Sequence, residues 1–363
     1  MFLLQNVPHL AANNDFFIIK EFVFLKIPPE QEKIISKEPY QYTVPDLHGN
    51  GLKLLHTAIM LNFLKASPRQ YQKIQSIYFS NQKKVTKETL SQFKHLIRSL
   101  QVQNKKPNKL LLIGDEFGDR GMNDYYTLEI LAHMVQQGIS CEILISNHGY
   151  EFVQGYEKNS FTSLILKGNH ALSLQNLRNL IDRNIVSSRY IHKLINEYYK
   201  KCLKLISCSY TENQVFIFSH APIGLKTVMS LAKKLNVPYL DDSPHLLMQT
   251  INQINKVFFE NYVRQNKVHT LFDPAILEAG YCGYKINPET NPFEHLIWNR
   301  DYEDLDRPFV HKQYNLNFVH GHDATPETEK NIYNLDGDNL LGKSIHLNHG
   351  LMQVLATKIE PTA

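Results

Sequence analysis

Short apolar runs recur along the chain, and five of them stop at a polar side chain able to bind a metal. The runs at 40–44, 109–113, 142–145, 215–218 and 317–320 are rich in Ile, Val, Leu and Phe, as buried strands are. Three more candidate strands follow at 331–335, 344–347 and 352–356. Helical spacing takes over between the early runs. Leu54, Leu55, Ala58 and Leu61 share one face of a helix predicted over 51–65. Leu128, Ile130, Leu131 and Met134 mark a second over 123–135, with Asn123 as a capping residue. Strand–helix alternation followed by consecutive strands predicts a layered α/β fold with a sheet on each side of the core.

Three long intervals interrupt the runs: 64–108, 161–213 and 223–295. Helical patterns occupy 86–100, 176–205 and 246–263 within them. They interrupt the series without flanking it, so 40–363 is expected to be one catalytic domain with helical insertions, preceded by an N-terminal segment over 1–39.

The polar residues at the run ends carry the chemistry. The segments are Asp46-Leu-His48-Gly49-Asn50, Gly114-Asp115-Glu-Phe-Gly-Asp119-Arg120-Gly121, Ser146-Asn147-His148, Ser219-His220 and Gly321-His322-Asp323. Strand followed by ligand is how an α/β sheet builds a site along its edge. Asp46 and His48, two apart on an extended strand end, would point to the same side. A lone Asp-x-His is weak evidence, and a lone His after a strand is more often structural than a ligand. Five such segments in series reverse that weighting. Hard oxygens mixed with imidazoles suit divalent transition ions. Arg120 binds no cation, but its planar fork matches phosphate oxygens. The bland reading of Asp119-Arg120 is a local ion pair in a turn. His148 is placed to protonate a leaving alkoxide, with Asp119 as the acid that would fix its tautomer.

Bulk properties narrow the field. With 363 residues, 43% hydrophobic and 20% charged, the chain is an ordinary globular one. A net charge of +4 is too mild to argue for nucleic acid as a partner. Lys83, Lys84, Lys87, Lys94, Arg98, Lys105 and Lys106 make one interval locally basic. The bland reading is a solvated helix face; the functional one is attraction to a phosphorylated partner or an acidic membrane surface. The four cysteines form no CxxC pair, which favours a reducing compartment. No signal peptide and no transmembrane segment are expected, so the expected location is cytoplasmic.

These segments resemble the signatures of the metal-dependent phosphoprotein phosphatase family within the calcineurin-like metallophosphoesterases: Gly-Asp-x-His-Gly, Gly-Asp-x-x-Asp-Arg-Gly, Gly-Asn-His-Glu and two later histidines. The resemblance runs from about Tyr40 to Leu355, insertions excepted. It implies a calcineurin-like β-sandwich flanked by helices. It implies two divalent ions, manganese first and iron or zinc next, one on Asp46, His48 and Asp115 and the other on Asp115, Asn147, His220 and His322. A metal-bridging hydroxide would attack phosphorus directly, with His148 as general acid. His295-Leu-Ile-Trp298-Asn-Arg300 is similar to the family's second phosphate-holding segment and brings Arg300 beside Arg120; by itself Trp298 would read as core packing. The tail Asn334-Leu-Asp-Gly337 is similar to bacterial members.

The sequence departs from the family pattern in four places. Pro45 precedes Asp46, Ser146 precedes Asn147, Gly149 follows His148, and one extra residue separates Asp115 from Asp119. The longer spacing and the insertions look like the Wip-type group of translocated Legionella effector phosphatases, which implies secretion into a host cell and a host protein target. The substrate expected on this reading is phosphoserine or phosphothreonine on a protein. Phosphotyrosine, a dinucleoside polyphosphate, or a non-catalytic phospho-binding role are the alternatives. A second Gly168-Asn169-His170 is set aside in favour of Asn147, which follows the stronger strand; His320 gives way to His322, and His346 and His349 are read as structural or surface.

Overall fold

The computed structural model describes residues 16–19, 39–103, 108–161, 172–303, 305–323, 331–336 and 354–359. The alternation of side chains along the apolar runs decides the architecture. In 109–113, Leu110 and Leu112 face a large core shared with the helices, while Leu111 and Ile113 face the other way. That second face holds Leu111, Ile113, Leu144 and Leu355 against Phe216, Phe218, Val319 and Leu335. Period-two alternation with both faces apolar is what a strand covered on both sides requires.

The strands in chain order are β1 (Phe16–Ile19), β2 (Tyr40–Val44), β3 (Leu64–Lys65), β4 (Gln101–Val102), β5 (Lys109–Leu112), β6 (Ser140–Leu144), β7 (Leu203–Lys204), β8 (Ser207–Thr211), β9 (Gln214–Phe218), β10 (Val310–His311), β11 (Tyr314–His320), β12 (Ile332–Asn334) and β13 (Val354–Lys358). One sheet runs β1-β13-β2-β5-β6-β7 and a second runs β10-β11-β9-β8, with β12 also on β11. The β2, β5 and β6 strands are mutually parallel, as are β9, β11 and β12. Each group therefore delivers the ends of its strands to one edge, where the five polar segments begin.

All of the apolar runs predicted within the described residues form strands, with bounds shifted by a few residues. The run at 344–347 and the Gly168-Asn169-His170 segment lie outside the described residues. The helix expected over 51–65 stops at Met60, because Asn62 takes a left-handed conformation (φ 58°) and the chain turns into β3. The stretch expected as one helix over 176–205 is several pieces: Leu172–Asp182, Ser188–Leu194, a π-helical turn over Ile195–Tyr199, and Lys200–Cys202. Ser187 starts the second piece by accepting a hydrogen bond from the Tyr190 amide. The helix expected over 246–263 is Pro244–Phe258, continued by a π-helical turn. Helix Asp124–Gln136, capped by Asn123 as expected, is buried along nearly all of its length against helices Gly51–Met60 and Lys87–Arg98. In the basic interval Lys83, Lys84, Lys87 and Arg98 are exposed, while Lys94 lies over the Tyr190 ring at 4.0 Å; Lys105 and Lys106 lie outside the described residues. No described helix is long and apolar enough to cross a membrane.

Candidate active site

The segments after β2, β5, β6, β9 and β11 meet at the edge between the two sheets. His48 N donates to the Asp115 carbonyl at 2.5 Å, and Gly121 N to the His48 carbonyl at 2.7 Å, which joins the first two segments. Gly121 has to be glycine, because a Cβ there would lie 1.8 Å from the Gly49 oxygen. The two sheets are joined where His322 N donates to Asp46 Oδ2 at 3.0 Å and Gly321 N to the His220 carbonyl at 2.9 Å. Gly321 is equally constrained, since a Cβ would meet Asp46 Oδ1 at 2.4 Å.

The second expected ligand set is assembled as read from sequence. His220 Nε2 lies 2.8 Å from Asn147 Oδ1, 3.1 Å from His322 Nδ1 and 3.5 Å from Asp115 Oδ1. Burial holds His220 down to about 4 and pushes His322 well below the usual histidine range, which favours the neutral imidazole that ligates a metal. Buried lone pairs converging on one point need a cation; Asp115, His220 and His322 offer atoms close enough together to share one. The first set is also brought together, with one addition. Asp46 and His48 group with Asp336, while Asp115 Oδ2 lies 3.7 Å from His48 Nδ1. Asp46 Oδ1, His48 Nδ1 and His322 Nε2 are buried without a hydrogen-bond partner. Buried atoms left without a partner on these residues fit bound divalent ions.

His48, Asp115 and His322 have positive φ, at 49°, 46° and 75°. Such backbone is costly for residues with a Cβ and gathers where geometry serves a site. For His48 this corrects the expectation of an extended strand end: the chain has already turned, and the imidazole is aimed by that turn.

The departures from the family pattern now have local causes. Ser146 caps helix Asn147–Glu157, its Oγ accepting from Gly149 N at 2.9 Å and from Asp115 N at 2.8 Å. The serine thus ties the β6 end to Asp115. Ser146→Ala should destabilise the metal-free protein by about 2 kcal/mol in urea unfolding, since it removes a cap and strands a buried amide; a change under about 0.5 kcal/mol would show the cap to be dispensable. Gly149 leaves room for Glu116, whose Oε1 would sit 3.2 Å from a Cβ there. Glu116 is fully buried, accepts from Tyr199 Oη at 2.5 Å, and is pushed up to about 8 by burial. Where the family places its Glu after the Asn-His pair, this chain brings a carboxylate from the lengthened β5 loop. Sequence reading missed Glu116 because that loop was read only for its outer aspartates.

The extra residue alters Asp119. Its Oδ2 accepts from Arg120 Nε at 2.8 Å and lies 3.5 Å from His48 Nδ1, whereas His148 Nε2 is 3.9 Å away. Asp119 and His148 thus stay within ion-pair distance but beyond hydrogen-bond reach, and the shorter contact of Asp119 Oδ2 is to Arg120. His148 remains in the cluster through its amide, which donates to Asp115 Oδ1 at 3.2 Å. On the opposite rim Arg300 is exposed and lies over the Trp298 ring at 5.1 Å, and Trp298 meets His322 edge-on at 5.6 Å. Trp298, read in isolation as core packing, thus also backs a candidate ligand and a candidate phosphate-binding arginine.

Residues 109–343 match the family described as the WipA-like phosphatase domain. Asp46 and His48 lie before the matched stretch. Among solved structures, the phosphatase domain of the Legionella effector WipB is similar at 33% identity and a TM-score of 0.70, covering 77% of this chain and 98% of that one. A cold-active protein-tyrosine phosphatase of a psychrophilic Shewanella shows 14% identity over 88% of this chain and 78% of that one, with a TM-score of 0.37. No curated protein matches. The Wip-type resemblance read from the spacing is thereby established at the level of the domain: the chain belongs to the WipA-like phosphatase domain family, and it is a phosphatase.

Proposed function

We propose that the chain is a two-metal phosphoprotein phosphatase of the calcineurin-like kind, and that phosphotyrosine is its substrate class. The two-sheet core with donors at its strand ends supports the first half of that reading. Two divalent ions held by Asp46, His48, Asp115, Asn147, His220 and His322 would supply Lewis-acid activation and charge neutralisation, with manganese the first candidate and iron or zinc next. Arg120 and Arg300 hold phosphate oxygens; pairing Arg120 Nε with Asp119 leaves most of that guanidinium's N–H groups for the substrate. His148 gives a proton to the departing oxygen.

The observation that carries the choice of tyrosine is the 3.9 Å gap between His148 and Asp119. A histidine not clamped to that carboxylate is a poorer acid catalyst for an alkoxide. A tyrosine phenolate, with a pKa of about 10, is a far less basic leaving group and needs less help. Phosphoserine and phosphothreonine, expected from sequence, become the competing reading. In line with the effector relative, the substrate would be a host phosphoprotein met after secretion.

The test is the purified chain with Mn²⁺ on matched phosphotyrosine, phosphoserine and phosphothreonine peptides and on dinucleoside polyphosphates. Highest kcat/KM on phosphotyrosine is expected. Preference for phosphoserine would overturn the tyrosine assignment alone, and turnover of only the dinucleotide would overturn the protein substrate as well. Arg300→Lys should raise KM about 10-fold with kcat less affected, since the bidentate fork is lost; an unchanged KM in steady-state assays would remove Arg300 from phosphate binding.

A further inference from the structure

We propose that Asp336 is a carboxylate ligand of the first ion, beside Asp46 and His48. This rests on the two-metal reading above and adds a residue to it. The first observation is topological. The β12 strand runs parallel to β11, so its end reaches the edge that bears His322. Asp336 follows β12 by two residues, as Asp46 follows β2 and His322 follows β11. The segment is fixed there by backbone and side-chain bonds: Leu335 N to the His320 carbonyl at 2.9 Å, Asp336 N to Asn334 Oδ1 at 2.9 Å, and Asn334 Nδ2 to the Asp323 carbonyl at 2.7 Å.

The second observation is convergence. Asp46, His48 and Asp336 offer ligand atoms that all lie within 4.8 Å of one another. Asp336 is 3% exposed and Asp46 is 1% exposed. Asp46 Oδ1 has no hydrogen-bond partner, and neither has His48 Nδ1. Two buried carboxylates brought this close repel unless a cation lies between them.

The third is charge balance. Lys53, 9% exposed, is the buried cation on this side, and its Nζ donates to the Asp46 carbonyl at 2.9 Å. One ammonium, which interacts with both Asp336 and Asp46, carries a single charge against the three carboxylates of Asp46, Asp115 and Asp336. A divalent ion would offset the remainder. Lys53 then serves as a fixed counter-charge behind the carboxylates, and Asp336 supplies the first ion with a donor from the second sheet.

The experiment is calorimetric titration of the metal-stripped full chain with Mn²⁺. The wild type is expected to take up two ions. Asp336→Asn should weaken one of them by at least about 100-fold, the upper range for losing even an outer-sphere partner, and leave the other near wild type. Asp336→Glu should recover part of the lost affinity. Equal two-ion isotherms for wild type and Asp336→Asn would overturn the assignment while leaving the two-metal reading intact. A wild type that binds no Mn²⁺ would overturn that reading itself. Anomalous scattering from Mn²⁺-loaded wild-type crystals decides the matter even if the variants do not fold: a peak roughly 2–2.6 Å from an Asp336 oxygen is expected, and a first ion that excludes Asp336 refutes it.

Discussion

Asp115→Asn should empty both ion positions and cut turnover by about 10³-fold or more. Asp115 turns one carboxylate oxygen toward each ligand set: Oδ1 is 3.5 Å from His220 Nε2 and Oδ2 is 3.7 Å from His48 Nδ1. It is 2% exposed, so water cannot replace a missing oxygen cheaply. Asparagine keeps the shape but offers one acceptor oxygen and no charge. The peptide amide of His148 also loses an anionic acceptor, so the acid catalyst is disturbed by the same change. Metal content by mass spectrometry and steady-state kinetics on a phosphotyrosine peptide are the measurements. A variant with two ions and activity within tenfold of wild type would remove Asp115 from the centre of the scheme.

His148→Ala should behave differently. Metal content should hold, because Asn147, His220, His322 and Asp115 form their set without it. Turnover of a phosphotyrosine peptide should fall by about 10²-fold, the low end of what a positioned acid contributes, since His148 is not held by Asp119. An activated aryl phosphate such as p-nitrophenyl phosphate should lose much less, since its leaving group departs without a proton. The structure makes the alternative outcome informative. His48, Asp119 and His148 also offer atoms close enough to share an ion. Loss of one ion in His148→Ala would make the histidine a ligand, and the proton donor would have to be sought elsewhere.

Much of this was legible from residues alone, for a physical reason. Buried strands must be apolar on both faces, so their ends stand out wherever a polar residue interrupts the run. That contrast located Asp46, Asp115, Asn147, His220 and His322, and the structure brings all five together. What was not legible depended on distance between chain segments. Glu116 fills the space left by Gly149, a relation that only the packing of the β5 loop on helix Asn147–Glu157 reveals. The partner of Asp119 turned on one extra loop residue, whose effect on a carboxylate's direction is set by the whole turn. The strand before Asp336 was legible at 331–335, but the aspartate after it was read only as part of the Asn334-Leu-Asp-Gly337 tail. The helices were legible in kind and not in extent, because the breaks at Asn62 and Ser187 depend on a left-handed turn and a local cap.

The bond from the His322 amide to Asp46 spans 276 positions. During synthesis, Asp46 must wait for 276 further residues before its partner exists. No amino-terminal fragment ending before β11 can assemble the second ligand set, however well its own sheet has formed. Catalysis therefore waits on β11, and a product that ends before it should be silent toward every phosphoprotein around it.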